Sequence, residues 1–297
     1  MRSIRGVFRF TLPFLLGVCA FAQGPPVILS VENSATGAVR DSTHATAANS
    51  FITVYVSGLS APDSTGNLFP ATSYDGIEVE WDDEPMPLYN VLPSKNLINT
   101  MLPSNAGNSG AGTLLVKTPA GLSSSYVIEL LPADVGIFRL PDPNNPNFMQ
   151  GAALIAGTNW FAMPASLAPA YNLPTPCTGL AISTPCAQGA APGEEIVIYF
   201  TGASIATAGG VPSAQPLPTG LAAPVNGSVL YETLETPVVT IGGNLANVQW
   251  CGIAPGTAAE YQLNVTVPSG VGPGDTIPVQ ITMSGSTDTV TIAVRSP

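Results

Sequence analysis

Six carboxylates fall within ten residues: Asp75, Glu78, Glu80, Asp82, Asp83 and Glu84. Hard cations take several carboxylate and carbonyl oxygens, so the chemistry such a cluster offers is calcium binding, drawn here at Glu78, Glu80, Asp82 and Asp83. In an extended chain Glu78, Glu80 and Asp82 share one face, and Ile77, Val79 and Trp81 share the other. A solvated sheet face ending in an acidic turn over residues 82–85 has the same pattern, and its charges discourage edge-to-edge pairing. The Asp-x-Asp-x-Asp-Gly spacing of a dedicated calcium loop is missing, so the solvated face is the preferred reading and calcium the alternative.

Other reactive groups are sparse. Cys177 and Cys186 stand nine positions apart in a Pro-rich stretch, and a disulfide closing that short loop is expected in an exported chain. Cys177, Cys186 and Cys251 permit three single pairings, so the other two stay open. Zinc is disfavoured because His44 is alone and no second Cys-x-x-Cys accompanies the cysteines. Serine hydrolysis asks for an imidazole base, yet His44 sits in a polar stretch far from any Gly-x-Ser-x-Gly elbow and reads as a loop residue. Paired carboxylates hydrolyse glycosides, but any acid-rich strand offers such pairs. No residue is assigned a catalytic role. Trp81, Trp160, Trp250, Tyr74, Tyr89 and Tyr171 offer stacking surface for a sugar, although core packing accounts for Trp81 and Trp250, which fall in strand-like segments at roughly matching places of a repeat.

These residues need a scaffold, and composition narrows it. The 297 residues include 30 Gly and 30 Pro, are 45% hydrophobic and only 9% charged, against roughly 25% charged in an average domain. Many turns and few long helices follow. Arg2, Arg5 and Arg9 precede an apolar run over residues 10–18. Ala20 and Ala22 then occupy the positions a signal peptidase reads, predicting cleavage before Gln23. Val18 before Cys19 argues against lipidation. Five basic residues then face nineteen acids, a net charge of −14. Nucleic-acid binding, which rests on Lys and Arg, is excluded as a class. No later apolar run reaches the ~18 residues of a spanning helix, so no membrane insertion follows signal removal.

Period-two alternation dominates the remainder, as in residues 51–56 (FITVYV), 76–81 (GIEVEW), 126–130 (YVIEL), 195–200 (EIVIYF), 261–267 (YQLNVTV) and 290–294 (VTIAV). Residues 52–58 match 196–202 at an offset of 144, and 98–104 match 263–269 at an offset of 165. The difference places an insertion of 21 residues in the second copy, within residues 203–237. The expected organisation is a signal peptide over 1–22, β-sandwiches over 24–137 and 191–297, and an irregular Pro/Asn-rich connector over 138–190 that packs partly on one domain.

Residues 191–202 (APGEEIVIYFTG), 239–243 (VTIGG), 252–256 (GIAPG), 261–268 (YQLNVTVP) and 274–279 (GDTIPV) resemble the Solibacter uncharacterised C-terminal domain family over about the last hundred residues. Residues 87–91 (PLYNV) with Ile98 and Asn99 are a more divergent match in the first half, where Leu97 replaces a usual polar residue. The resemblance implies an immunoglobulin-like sandwich in secreted bacterial proteins and carries no catalytic residues. Cys251 stands where that family has a small residue, which implies a buried thiol. The expected fold is therefore all-β, with two tandem immunoglobulin-like sandwiches. The expected role is a secreted or cell-surface, non-catalytic interaction or structural module with an extracellular protein or glycan partner. A carbohydrate-binding module and an extracellular hydrolase are the alternatives. No cofactor is expected beyond the candidate calcium, and no ligand-binding residues are assigned.

Overall fold

Alternating apolar and polar residues force the first half into strands whose inner faces must meet. The computed structural model describes residues 24–296 except Ser204; Cys19 and the predicted cleavage residues Ala20, Ala22 and Gln23 lie outside the described residues. Seven strands of five residues or more frame the first domain, β1 (Val27–Asn33), β2 (Phe51–Ser57), β3 (Ile77–Trp81), β4 (Leu88–Leu92), β5 (Leu97–Met101), β6 (Gly110–Thr118) and β7 (Tyr126–Leu130), with two-residue strands at Ser73–Tyr74, Glu84–Pro85 and Gly121–Leu122 beside β3 and β6. One sheet runs β1-β2-β5-β4 and the other β7-β6-β3, all antiparallel. That division of strands between sheets is the constant-type immunoglobulin order. Ile52, Val54, Ile77, Val79, Leu114, Val116 and Ile128 fill the space between the sheets. Each such buried side chain contributes roughly 1.5–3 kcal/mol relative to exposure. Trp81 lies in this core, and Gly112 on β6 makes room for it, since a Cβ there would overlap the indole ring.

The second domain repeats the plan with additions. Its strands are β8 (Gly136–Ile137), β9 (Arg139–Asp142), β10 (Asn145–Gly151), β11 (Ala153–Ile155), β12 (Trp160–Ala162), β13 (Cys186–Gln188) and β14 (Glu195–Thr201). They continue as β15 (Ala206–Ala208), β16 (Tyr231–Thr233), β17 (Val238–Ile241), β18 (Asn247–Ile253), β19 (Tyr261–Thr266), β20 (Gly274–Met283) and β21 (Ser286–Val294). One sheet runs β13-β12-β11-β14-β19-β18-β16-β15 with β8 beside β14, and the other β9-β10-β21-β20-β17. Strands β2 and β14, and likewise β5 and β19, hold equivalent places, as the two sequence offsets require. Among the described residues no helix is long and apolar enough to cross a membrane.

The expected irregular connector over 138–190 is corrected here. Strands β9 to β13 come from it, and β11 pairs with β14, so the second domain begins near Gly136 rather than at 191. Proline misled the expectation: Pro141 lies in β9 at the sheet edge, where one N–H side needs no partner. The rest of the segment closes a satellite core of Met163, Leu167, Ala168 and Ala187, against which Phe148, Phe161 and Tyr171 pack. Cys177 and Cys186 are bonded with Cα atoms 5.7 Å apart, and the enclosed loop lies over Trp160, whose Nε1 donates to Ala181 O at 3.4 Å. A second correction concerns Trp250. It lies on β18, the counterpart of β4, whereas Trp81 lies on β3, so the two indoles are not equivalent.

Two glycines end the matched strands β2 and β14. Gly58 (φ 85°) packs on Pro25 and Pro26 before the first domain, while a Cβ on Gly202 (φ 79°) would overlap the carbonyl of Asp134 before the second. Gly58→Ala should therefore lower unfolding free energy by about 1–2 kcal/mol for the left-handed backbone alone. Gly202→Ala should cost about 3 kcal/mol or more by urea titration, because backbone must also move. Replacing Cys177 and Cys186 together with Ala should cost about 2–3 kcal/mol, read from the same titration.

Candidate functional site

The segment joining the domains is held from both sides. Leaving β7, Leu131 N donates to Thr46 O at 2.9 Å, and three residues later the chain buries Asp134. A buried carboxylate must be paired and hydrogen-bonded. Arg40 donates Nε and Nη2 to it at 2.8 and 2.5 Å, Asn33 Nδ2 at 3.1 Å and Thr46 Oγ1 at 3.2 Å. Asp134 N in turn donates to Gly202 O at 2.8 Å, which ties this first-domain cage to the end of β14. Asp288 continues the tie, accepting from Ile137 N and from Arg139 Nη2, both at 2.7 Å, while Arg139 Nη1 reaches back to Ala35 O at 3.2 Å.

Two further bridges cross the junction. Phe51 N donates to Thr201 Oγ1 at 2.8 Å, and Ser104 N donates to Thr219 Oγ1 at 2.9 Å. Thr219 belongs to residues 203–237, the stretch where the second copy is longer. Beside it Gly220 (φ 77°) packs so closely on Pro87 that a Cβ would stand 2.7 Å away. The surplus segment grips the first domain.

Beside these contacts the two domains leave a half-open recess of about 270 Å³. Phe51 at the start of β2, Tyr89 on β4 and Phe69 from the β2–β3 connection pack edge to face, with centroids 5.0, 5.5 and 6.2 Å apart. Phe138 from the joining segment completes the aromatic wall, and the β18–β19 turn supplies Thr257, Ala258, Ala259 and Glu260 opposite. Ala258, Ala259 and Met101 are buried beneath. The main-chain oxygen of Glu260 accepts from Ala254 N at 2.9 Å and Thr257 Oγ1 at 3.0 Å, while its carboxylate has neither hydrogen bond nor ion pair among the described residues. Burial alone pushes that carboxyl above the usual carboxylate range.

The residues singled out from sequence are placed elsewhere. Glu78 pairs with Lys117 at 3.0 Å, Asp82 Oδ1 accepts from Thr113 N at 2.8 Å, and Glu84 accepts from Asn105 at 3.3 Å. Asp82 and Asp83, at φ 49° and 68°, form a two-residue hairpin turn of the kind that wants left-handed residues. Gly242 and Gly243 take the equivalent turn in the second domain. Among the described residues, no three His, Cys, Asp or Glu side chains gather as a metal would need. His44 is exposed with Nδ1 3.0 Å from Asp41 Oδ1; bonds chiefly from Thr43 pull Asp41 down to about 2. Cys251 is buried, and desolvation pushes its thiol up to about 12.

The aromatics considered for stacking scatter: Trp81 in the first core, Trp160 below the disulfide loop, Trp250 over Gly252, and Tyr171 bonded to Pro141 O at 2.7 Å. Of that set Tyr89 alone reaches the recess. Phe51, Phe69, Phe138 and Glu260 were not marked by sequence. One signal was present: Phe51 occupies an outward position of β2, where the second copy has Glu195.

No family model matches the chain, and no curated protein does. Among solved structures it is similar to the I9–I11 tandem of titin, at 12% identity over 92% of this chain and 66% of that one, with a TM-score of 0.20. A chimeric titin Z1Z2 matches at 12% identity over 93% and 98%, with a TM-score of 0.20. Domains 5–6 of the S-layer protein SbsC match at 10% identity over 91% and 99%, with a TM-score of 0.24. Likeness of this size carries no argument about role, and the immunoglobulin-like assignment stands on the sheet order itself.

The raised carboxyl makes a pH prediction. Its folded-state pKa exceeds the unfolded value, so ionisation is disfavoured in the fold. The penalty is absent below the unfolded pKa and grows as pH rises through the folded one. Glu260→Gln should therefore gain stability over the parent between about pH 4 and pH 7, measured as the difference in urea midpoints at each pH.

Proposed function

We propose that this chain is an exported, non-catalytic structural or interaction module that presents two immunoglobulin-like sandwiches in one fixed relative orientation. The observation that carries the reading is the caged Asp134. A joining segment pinned to the first domain by charge-assisted hydrogen bonds from Arg40 and to the second by the Asp134 N–Gly202 O bond holds an angle, which is what a spacer or adhesive element needs and a flexible tether lacks. The signal-like residues 1–22 and the Cys177–Cys186 disulfide support an extracellular or cell-surface setting. The resemblance of the last hundred residues to the Solibacter uncharacterised C-terminal domain family supports the same placement. Its partner on this reading is an extracellular protein or glycan.

Small-angle scattering tests the geometry. The parent chain should give one rigid particle whose interdomain distance is unchanged between low and high salt. Arg40→Ala leaves the buried carboxylate uncompensated, and should lower stability by about 3–5 kcal/mol and broaden the distance distribution. A parent chain already flexible in scattering, or glycan or peptide turnover that Glu260→Gln abolishes, would sink the proposal.

A further inference from the structure

We infer that the interdomain recess is a binding site for an alkylated ammonium group, held by the rings of Phe51, Phe69, Tyr89 and Phe138 that line it and by the carboxylate of Glu260. Its 270 Å³ lies below the roughly 300–1,000 Å³ of drug-sized sites, so it takes a headgroup rather than an extended ligand. Electron-rich ring faces attract a cation, and an alkylated one also buries its methyl groups against them. No Lys, Arg or His lines the recess, so nothing within it already neutralises Glu260. An unpartnered carboxylate at an apolar wall carries a desolvation cost that an incoming cation offsets.

Two of the polar neighbours are already engaged within the fold. Asn67 Oδ1 already accepts from Phe69 N at 2.8 Å, and the Thr257 hydroxyl serves Ala254 O at 2.9 Å and Glu260 O at 3.0 Å. Among the groups lining the recess the Glu260 carboxylate is the charged one, and it specifies a cation. The net charge of −11 on the chain adds a weak, salt-screened attraction for the same sign of ligand. This goes beyond the spacer reading and stands apart from it, because ligand binding and interdomain rigidity have separate readouts.

Calorimetric titration of the purified chain with choline, and with its neutral isostere 3,3-dimethylbutan-1-ol, tests the site. Choline should bind about tenfold or more tightly than the isostere, equivalent to about 1.4 kcal/mol. Glu260→Gln should lose that preference, and Phe69→Leu should weaken choline about tenfold while keeping apolar volume. A peptide bearing trimethyl-lysine distinguishes a protein-borne cation from a free one: tighter binding than choline assigns the former, weaker binding the latter. Equal affinity for choline and the isostere, or no saturable choline binding, overturns the inference. Should Glu260→Gln fail to fold, the isostere comparison on the parent and Phe69→Leu still decide it.

Discussion

The arrangement of the molecule depends on a buried charge that has to be satisfied where two domains meet. Asp134 could not sit in that position unpaired, and Arg40, Asn33 and Thr46 supply four donor contacts to its carboxylate. Because its own amide is spent on Gly202, the first domain's polar cage is bonded to the second domain's strand end. Gly202 is glycine for the same reason: the segment passes too close for a side chain. In the first domain Gly58 performs the parallel duty against Pro25 and Pro26, so the same strand-end device recurs where each sandwich receives its incoming chain.

The second copy is longer where length is useful. Between β15 and β16, which extend the sheet locally, Thr219 and Gly220 reach out to touch Ser104 and Pro87 of the first domain. The β18–β19 turn closes onto Phe51 and Met101 from the other side. Four rings and a carboxylate from five separate chain segments meet at the recess beside this closure. What they leave is acidic, aromatic and lacking any internal cation.

Particular residues show where sequence reasoning reached and where it stopped. Alternation in residues 51–56 and 195–200 predicted equivalent strands, and the sheet order places them so. The short spacing of Cys177 and Cys186 predicted the bond that forms. Proline-rich residues 138–190 concealed strands, because proline is read as a breaker although an edge position tolerates it. Trp81 and Trp250 looked alike because both follow strand-like alternation, yet a different neighbouring glycine receives each ring. The acidic run drew attention through density along the chain, and the structure gives its members a lysine, a hairpin turn and an asparagine.

By itself the sequence determined what local periodicity encodes: all-β sandwiches, their duplication, the short disulfide loop and the acidic balance of the chain. These follow from contacts between near neighbours along a strand or from simple counts. Tertiary structure decided where the second domain begins, which acid is caged at the junction, and which rings face the recess. Arg40 and Asp134 are 94 positions apart, and Phe51 and Thr201 are 150. No local pattern marks partners so distant; only the packing of two complete sandwiches brings them within bonding range.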